Sequence, residues 1–304
     1  MATRRAILIG AVESTRIAFE ALQRSPDWVV AAVVTLDEGL AARHSDFQPL
    51  GPIAAVASCA VIAVDNINHD AALAAVGAID ADCVFVIGWS QIVGARFLDL
   101  WKDRVVGYHP AALPRMRGRA AIPWTILSGD PITAGTLFWV DRGTDTGAIL
   151  DQHFFHVAPD ETAATLYEKH MAALAIMLDR SLPMLAGGHA PRLPQDEACA
   201  TWAARRTSGD GRIDWTQSAA TILRLVRAAG RPYPGAWTRL NGSAMHIWSA
   251  RATAIGAQHW GRAGQVIDLS GGHVCVLCGD GHALLVTETT GLDRAPRLHA
   301  VLGE

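Results

Sequence analysis

The stretch VVGYHPAALPRMRGRAAIPWTILSGDPITAGTLFWVDRGTDTGAIL (residues 105–150) decides the fold. Val105 to Tyr108 reads as a buried strand that runs into His109-Pro110 and a rigid turn. Pro110 and Pro114 fix φ and remove backbone donors, so Ala111 to Pro114 is not expected to be helical. Arg115, Arg117 and Arg119 alternate around Gly118. A short helix is expected over Ile122 to Ser128 and an apolar strand over Thr133 to Val140. The stretch closes on Asp141-Arg-Gly-Thr-Asp145-Thr-Gly147, a polar loop. A His and an Asp thus each follow a strand, and open parallel sheets hold ligands beyond the C-terminal ends of their strands.

Upstream, Arg5 to Ala11, Trp28 to Leu36, Ala60 to Val64 and Cys83 to Gly88 are short apolar runs, with helical spacing over Ser14 to Leu22 and His69 to Val76. Strands alternating with helices of this length imply a doubly wound, mostly parallel (Rossmann-like) α/β sheet. The first turn, GAVEST (residues 10–15), lacks the GxGxxG spacing, which argues against a nicotinamide dinucleotide there. Downstream, Ala148 to Val157 reads as an antiparallel or edge strand, and Glu161 to Leu185 as a long amphipathic helix ending at Gly187-Gly188. The spacing predicts a domain over 1–188, a proline-bearing polar linker over 189–205, and a second domain over 206–304. In that second domain a helix is expected at Ser218 to Ala229. Short strands at Ala244 to Ser249, Gly264 to Leu269, His273 to Leu277 and Ala283 to Thr287 suggest a small OB-like β-barrel.

The chain has 304 residues, half of them hydrophobic and 18% charged, enough for two cores. A net charge of −3 and a pI near 6.4 give no global basic footprint for nucleic acid. No run approaches the ~20 apolar residues that cross a bilayer, so no membrane partner and a cytoplasmic location are expected. The 5 scattered cysteines suit reduced thiols. Cys275 and Cys278 match CxxC, but in a strand they point to opposite faces, so packing and no metal is the expectation.

HPAALPRMRG (109–118), together with DRGTDTG (141–147), resembles the formyltransferases that use 10-formyltetrahydrofolate. That family includes methionyl-tRNA formyltransferase, the sugar-nucleotide N-formyltransferases and glycinamide ribonucleotide formyltransferase. Its pattern is Asn-x-His-Pro/Gly-Ser-x-Leu-Pro with a distant Asp-x-Gly-x-Asp-Thr-Gly. DGRIDW (210–215) and LVRAAGRPYPGAW (225–237) resemble the C-terminal domain of such enzymes, so the resemblance spans nearly the whole chain. It implies an N-formyltransferase with 10-formyltetrahydrofolate as co-substrate. His109 would be the base and Asp145 its partner, while Gly107 stands where the family has Asn.

Taking a proton from an amine near pH 7 suits a neutral imidazole, and an adjacent carboxylate fixes its tautomer and stabilises the imidazolium. The missing Asn removes an oxyanion donor, a loss that commonly costs about 3–4 kcal/mol in the transition state. The protonated His109, backbone N–H groups, a water in the Asn volume or Ser90 are the stand-ins considered. The resemblance places the folate near Ile87, Trp89 and Ser90 and near Leu113, Asp141 and Gly143. Arg117 and Arg119 are expected to meet substrate phosphates or carboxylates, and Tyr108 the substrate. Each also has a plain structural reading, as a solvated turn or a packed side chain. The acceptor expected first is a primary amine on a nucleotide-linked amino sugar, then a small amino acid or hydroxyornithine, then methionyl-tRNA. A folate hydrolase, an inactive folate-binding homologue and a homodimer stay open.

Overall fold

The computed structural model describes residues 3–43, 46–57, 59–269 and 271–303. The sequence of His44-Ser45-Asp46-Phe47 reads as a loop, and its first two residues, His44 and Ser45, lie outside the described residues. The chain divides into two compact units. The first holds residues 1–121, 132–156 and 167–204; the second holds 122–131, 157–166 and 205–304.

In the first unit the elements run β1 (Arg4–Ile9), α1 (Glu13–Arg24), β2 (Trp28–Leu36), α2 (Gly51–Val56), β3 (Ala60–Val64), α3 (Asp70–Gly77), β4 (Cys83–Val86), α4 (Ala95–Leu100) and β5 (Val105–His109). The two-residue β6 (Arg117–Gly118), β7 (Ile132–Trp139), β8 (Ile149–His156), most of α6 (Ala163–Ala186) and a short β9 (Trp202–Ala203) complete it, whereas helix α5 (Ala121–Ser128), between β6 and β7, groups with the second unit. The main sheet has seven strands in the order β3-β2-β1-β4-β5-β7-β8. Its first five are mutually parallel, whereas β7 and β8 are antiparallel to their neighbours.

Alternation with period two builds a core on each face. Ala6, Leu8, Phe85, Val106 and Leu137 pack with Phe19 and Leu22 of α1 and with Leu174, Met177 and Leu178 of α6. Ile7, Ile9, Val84 and Val105 pack with Leu73 and Val76 of α3 and Phe97 of α4. The doubly wound expectation therefore holds, and its chain reversal lies between β1 and β4. There Gly10 admits no side chain, because a Cβ would stand 2.0 Å from the Ile87 carbonyl oxygen. The Thr15 hydroxyl donates to that same oxygen at 2.7 Å, tying α1 to the end of β4.

The second unit carries α7 (Ala219–Ala229) and strands β10 (Ala236–Leu240), β11 (Ser243–Thr253), β12 (Val266–Asp268), β13 (Val274–Leu277) and β14 (Ala283–Thr290). The sheet runs β10-β11-β14-β13-β12, all antiparallel. It is an open half-barrel: its order ends at β10 and β12 instead of closing. The Ser218 hydroxyl caps α7 by accepting from the Thr221 N–H at 3.2 Å. Ile222 and Val226 of α7 cover Met245, Ile247, Val276 and Leu284. Cys278 joins that core and Cys275 the opposite face, as their spacing requires. Among the described residues no helix is long and apolar enough to cross a membrane.

A buried histidine makes the first unit sensitive to acid. His170 of α6 is fully buried; its Nδ1 lies 3.1 Å from the Tyr108 hydroxyl, which donates to the His170 carbonyl, also at 3.1 Å. One phenol proton cannot serve both, so Nδ1–H donates to the phenol and Nε2 is left with no hydrogen-bond partner among the described residues. Phe155 packs edge-on at 4.9 Å. Burial first, and the nearby His109 second, lower the His170 pKa to about 3. The unfolded chain then binds the extra proton between about pH 6.5 and pH 3, so this stability is present above 6.5 and is lost as pH falls. We expect a loss of about 1.4 kcal/mol per pH unit below 6.5 from this group. Denaturant titrations at pH 7, 6 and 5 should show that slope in the native chain and its loss in His170→Asn.

Candidate active site

His109 ends β5 and is only 5% exposed. Its Nε2 lies 2.7 Å from the Met116 carbonyl oxygen. A carbonyl only accepts, so Nε2 carries the proton and Nδ1 is left as the basic nitrogen. That Nδ1 faces the Asp145 carboxylate at 3.6 Å, a charge contact too long for a direct hydrogen bond. Met116 sits at φ 58, the left-handed turn that points its carbonyl back at the imidazole. The Leu113-Pro114 turn is held from the neighbouring strands. The Thr136 hydroxyl on β7 donates to the Ala111 carbonyl at 2.6 Å, and Gln152 on β8 donates to the Leu113 carbonyl at 2.8 Å.

Asp145 reaches His109 by a route that strand-end reasoning did not supply. β7 is antiparallel to β5, with Val106 opposite Trp139 and His109 opposite Thr136. The end of β7 therefore lies beside the start of β5, about 10 Å from the level of His109. The loop 141–147 has to fold back along the sheet. Asp141 staples it, accepting from the Gly143 N–H at 3.0 Å and from the Thr146 hydroxyl at 2.7 Å. Gly147 is required because a Cβ there would stand 1.7 Å from the Trp139 carbonyl oxygen. Asp145 itself adopts φ 55, and its Oδ2 accepts from the Gly118 N–H at 2.8 Å.

Several expected site residues lie elsewhere. Arg117, expected to meet phosphates, is fully buried. Its guanidinium donates to Gln195 Oε1 at 2.8 and 3.0 Å and to both oxygens of Glu197 at 2.6 and 2.8 Å, so it is occupied by protein. Glu197 raises the Arg117 pKa, and Arg117 lowers that of Glu197. Tyr108, expected to meet substrate, points to the opposite face of β5 and binds His170. Arg119 is exposed, with its backbone N–H donating to Ala203. The Asn volume considered for a water at Gly107 is filled. A Cβ there would stand 2.9 Å from a Val140 methyl and 3.0 Å from the Phe138 ring, the cross-strand partner of Gly107.

The residues expected to contact folate fall on the loop after β4, the loop after β7 and the turn after His109. Ile87 is fully buried, Gly88 has φ 74, and the loop through Gly94 is pinned by Asn68, which accepts from the Gly94 N–H at 2.6 Å and donates to the Ile92 carbonyl at 2.9 Å. Trp89 and Val140 pack on the core beneath β4 and β5. The Trp89 indole N–H is buried and has no hydrogen-bond partner among the described residues. Ser90 is exposed on this loop, Asp141 and Gly143 lie on the loop after β7, and Leu113 is buried in the turn after His109. Sequence reasoning missed Met116 and Gln195, which nothing local signals. Phe138 and Val140 fall in the 138–145 stretch that it set near the folate, but only the register of β5 against β7 shows Phe138 packed over Gly107.

Residues 6–180 match the family model described as formyl transferase, and residues 206–295 match that of the formyl transferase C-terminal domain. The chain belongs to the formyl transferase family. The fold of this formyltransferase is similar to that of the N-formyltransferase from Helicobacter canadensis in complex with folinic acid and dTDP-3-aminofucose. The TM-score is 0.67 at 17% identity, covering 94% of this chain and 99% of that one. The sugar 3N-formyltransferase WlaRD, solved in the presence of dTDP and 5-N-formyl-tetrahydrofolate, gives 0.69 at 17% identity over 97% and 100%. HypX from Aquifex aeolicus in complex with tetrahydrofolic acid gives 0.66 at 18% identity, covering 96% of this chain but 44% of that one. Among the described residues no group of three or more His, Cys, Asp or Glu could hold a metal ion.

Proposed function

We propose that this formyltransferase moves a formyl group from 10-formyltetrahydrofolate to a primary amine of a nucleotide-linked amino sugar. The observation that carries the reading is the His109 imidazole, held between the Met116 carbonyl at 2.7 Å and the Asp145 carboxylate at 3.6 Å. Support for the acceptor comes from the two sugar N-formyltransferases of like fold that match along their whole length. A net charge of −3 favours a small acceptor over tRNA.

When bound, the folate supplies the formyl group. The residues that would hold it fit a flat, amide-edged ring: the backbone of the Gly88 to Gly94 loop, and the buried Trp89 N–H that lacks a protein partner. A buried donor left unpaired costs about 1–3 kcal/mol, which a ligand acceptor would offset. His109 Nδ1 receives the proton that the amine loses. Asp145 stabilises the resulting imidazolium, while Nε2–H stays on Met116 and keeps the ring from turning. The imidazolium would then return that one proton from Nδ1 to the departing nitrogen, with Asp145 holding the ring charged until it does. The exposed Arg119 is the guanidinium we assign to the nucleotide phosphates. The reaction belongs in the cytoplasm with its folate co-substrate.

The test follows tetrahydrofolate release by absorbance with nucleotide amino sugars, amino acids including hydroxyornithine, and no acceptor. Release that requires an amino sugar is expected. Equal release without acceptor would instead identify a hydrolase, and release only with an amino acid would reassign the acceptor.

A further inference from the structure

The segment that the sequence marks as a linker reaches into the site. Gln195 uses its whole amide: Nε2 donates to the carbonyls of Asp145 at 2.8 Å and Gly147 at 2.7 Å, and Oε1 accepts twice from Arg117. Arg117 is itself fixed by Glu197. A few residues on, the Thr201 hydroxyl accepts from the Met116 N–H at 2.9 Å, and the Thr201 carbonyl accepts from the Arg117 N–H at 2.9 Å. Met116 and Asp145 are the two partners of His109. One strap, residues 195–201, therefore braces both sides of the imidazole.

Asp145 needs such a brace. Its φ of 55 is a sparsely populated conformation for a residue with a side chain, and such positions persist where the surroundings over-determine them. Gln195 clamps the carbonyls on either side of Thr146, and Gly118 N–H clamps the carboxylate. We propose that Gln195 is a positioning residue: it holds Asp145 turned towards His109, and the segment that the sequence marks as a linker, which lies within the first compact unit, is thereby part of the catalytic apparatus. This rests on the reading of His109 and Asp145 as the reacting pair.

The test combines an activity-free readout with a double-variant cycle. Gln195→Met keeps the volume and removes the four hydrogen bonds. The Gly118 amide, bonded to Asp145, should then exchange roughly fivefold faster or more, as the loss of about one hydrogen bond requires. Turnover should fall roughly 10–100-fold in kcat with KM nearly unchanged, the cost of a small misplacement. In an Asp145→Asn background Gln195→Met should cost less than about twofold, because the two act through one group. Unchanged Gly118 exchange in a folded variant, or losses that multiply fully with Asp145→Asn, would overturn the proposal. Thr201→Val provides a second variant if Gln195→Met does not fold; it should speed Met116 amide exchange and lower kcat, and no change in either would count equally against the strap. The exchange arm holds even if wild-type protein transfers no formyl group, so failure of the proposed function and failure of the strap are separable.

Discussion

His109→Ala is expected to lower kcat by on the order of 10²–10⁴ at saturating substrates, the usual range for loss of a positioned base. Alanine also deletes the contact to Met116, so His109→Gln is the sharper variant. A glutamine amide can keep the donation to the Met116 carbonyl but offers no basic nitrogen towards Asp145. It should lose about as much activity as His109→Ala while retaining near-native thermal stability. Asp145→Asn keeps the shape and the bond from Gly118 but removes the charge that faces the imidazolium. Residues that act as a unit are non-additive, so the His109→Gln, Asp145→Asn double variant should be no worse than the poorer single. Steady-state rates for the three variants check this. Near-native turnover in His109→Gln would exclude Nδ1 as the base.

The second expectation runs against simple repair. Gly107→Asn would recreate the family motif on paper, yet it should destabilise the chain and leave turnover no higher. Its Cβ would meet Val140 and Phe138 at 2.9 and 3.0 Å, and Phe138 is only 5% exposed, so the neighbours must shift. Overpacking of this kind costs about 1–3 kcal/mol. In a domain of this size that is a fall of roughly 2–4 °C in Tm per kcal/mol. In a Phe138→Ala background, itself less stable because a buried ring is lost, Gly107→Asn should cost less than it does in wild type, since the ring it meets is gone. Calorimetry of the two single variants and the double variant beside wild type checks this. A Gly107→Asn protein as stable as wild type and more active would show that the Phe138 packing is soft.

The doubly wound sheet was legible because β1, β2 and β4 are buried on both faces and carry unbroken apolar runs that no other context explains. The short helices α2 and α4 were not, since neither is long enough to show a period. β10 was hidden by the Pro-Tyr-Pro-Gly that precedes it, although Trp237 and Arg239 alternate with buried Ala236 and Thr238. At the site, His109 and Asp145 were readable as motif residues. The geometry joining them was not, because an antiparallel β7 sends its loop back over the sheet. Arg117 looked like an anion clamp because its partners stand 78 and 80 residues away, where no local pattern connects them. Gly107 looked like a vacancy because the side chain that fills it belongs to the neighbouring strand. In each case the local chemistry was read soundly and a distant partner had already claimed it.

β9 has a consequence for how such genes recombine. A crossover placed at the glycine pair after α6 would carry the whole His-Asp signature into a new protein and leave the Gln195 amide and the Trp202–Ala203 pairing behind. The stretch that has to stay with the His109 loop extends to Ala204, sixteen residues beyond Gly188, where the last segment of the first compact unit ends; residues 122–131 and 157–166 within it group with the second unit. A C-terminal exchange made after Ala204 should therefore keep the His109–Asp145 geometry, and one made after Gly188 should lose it.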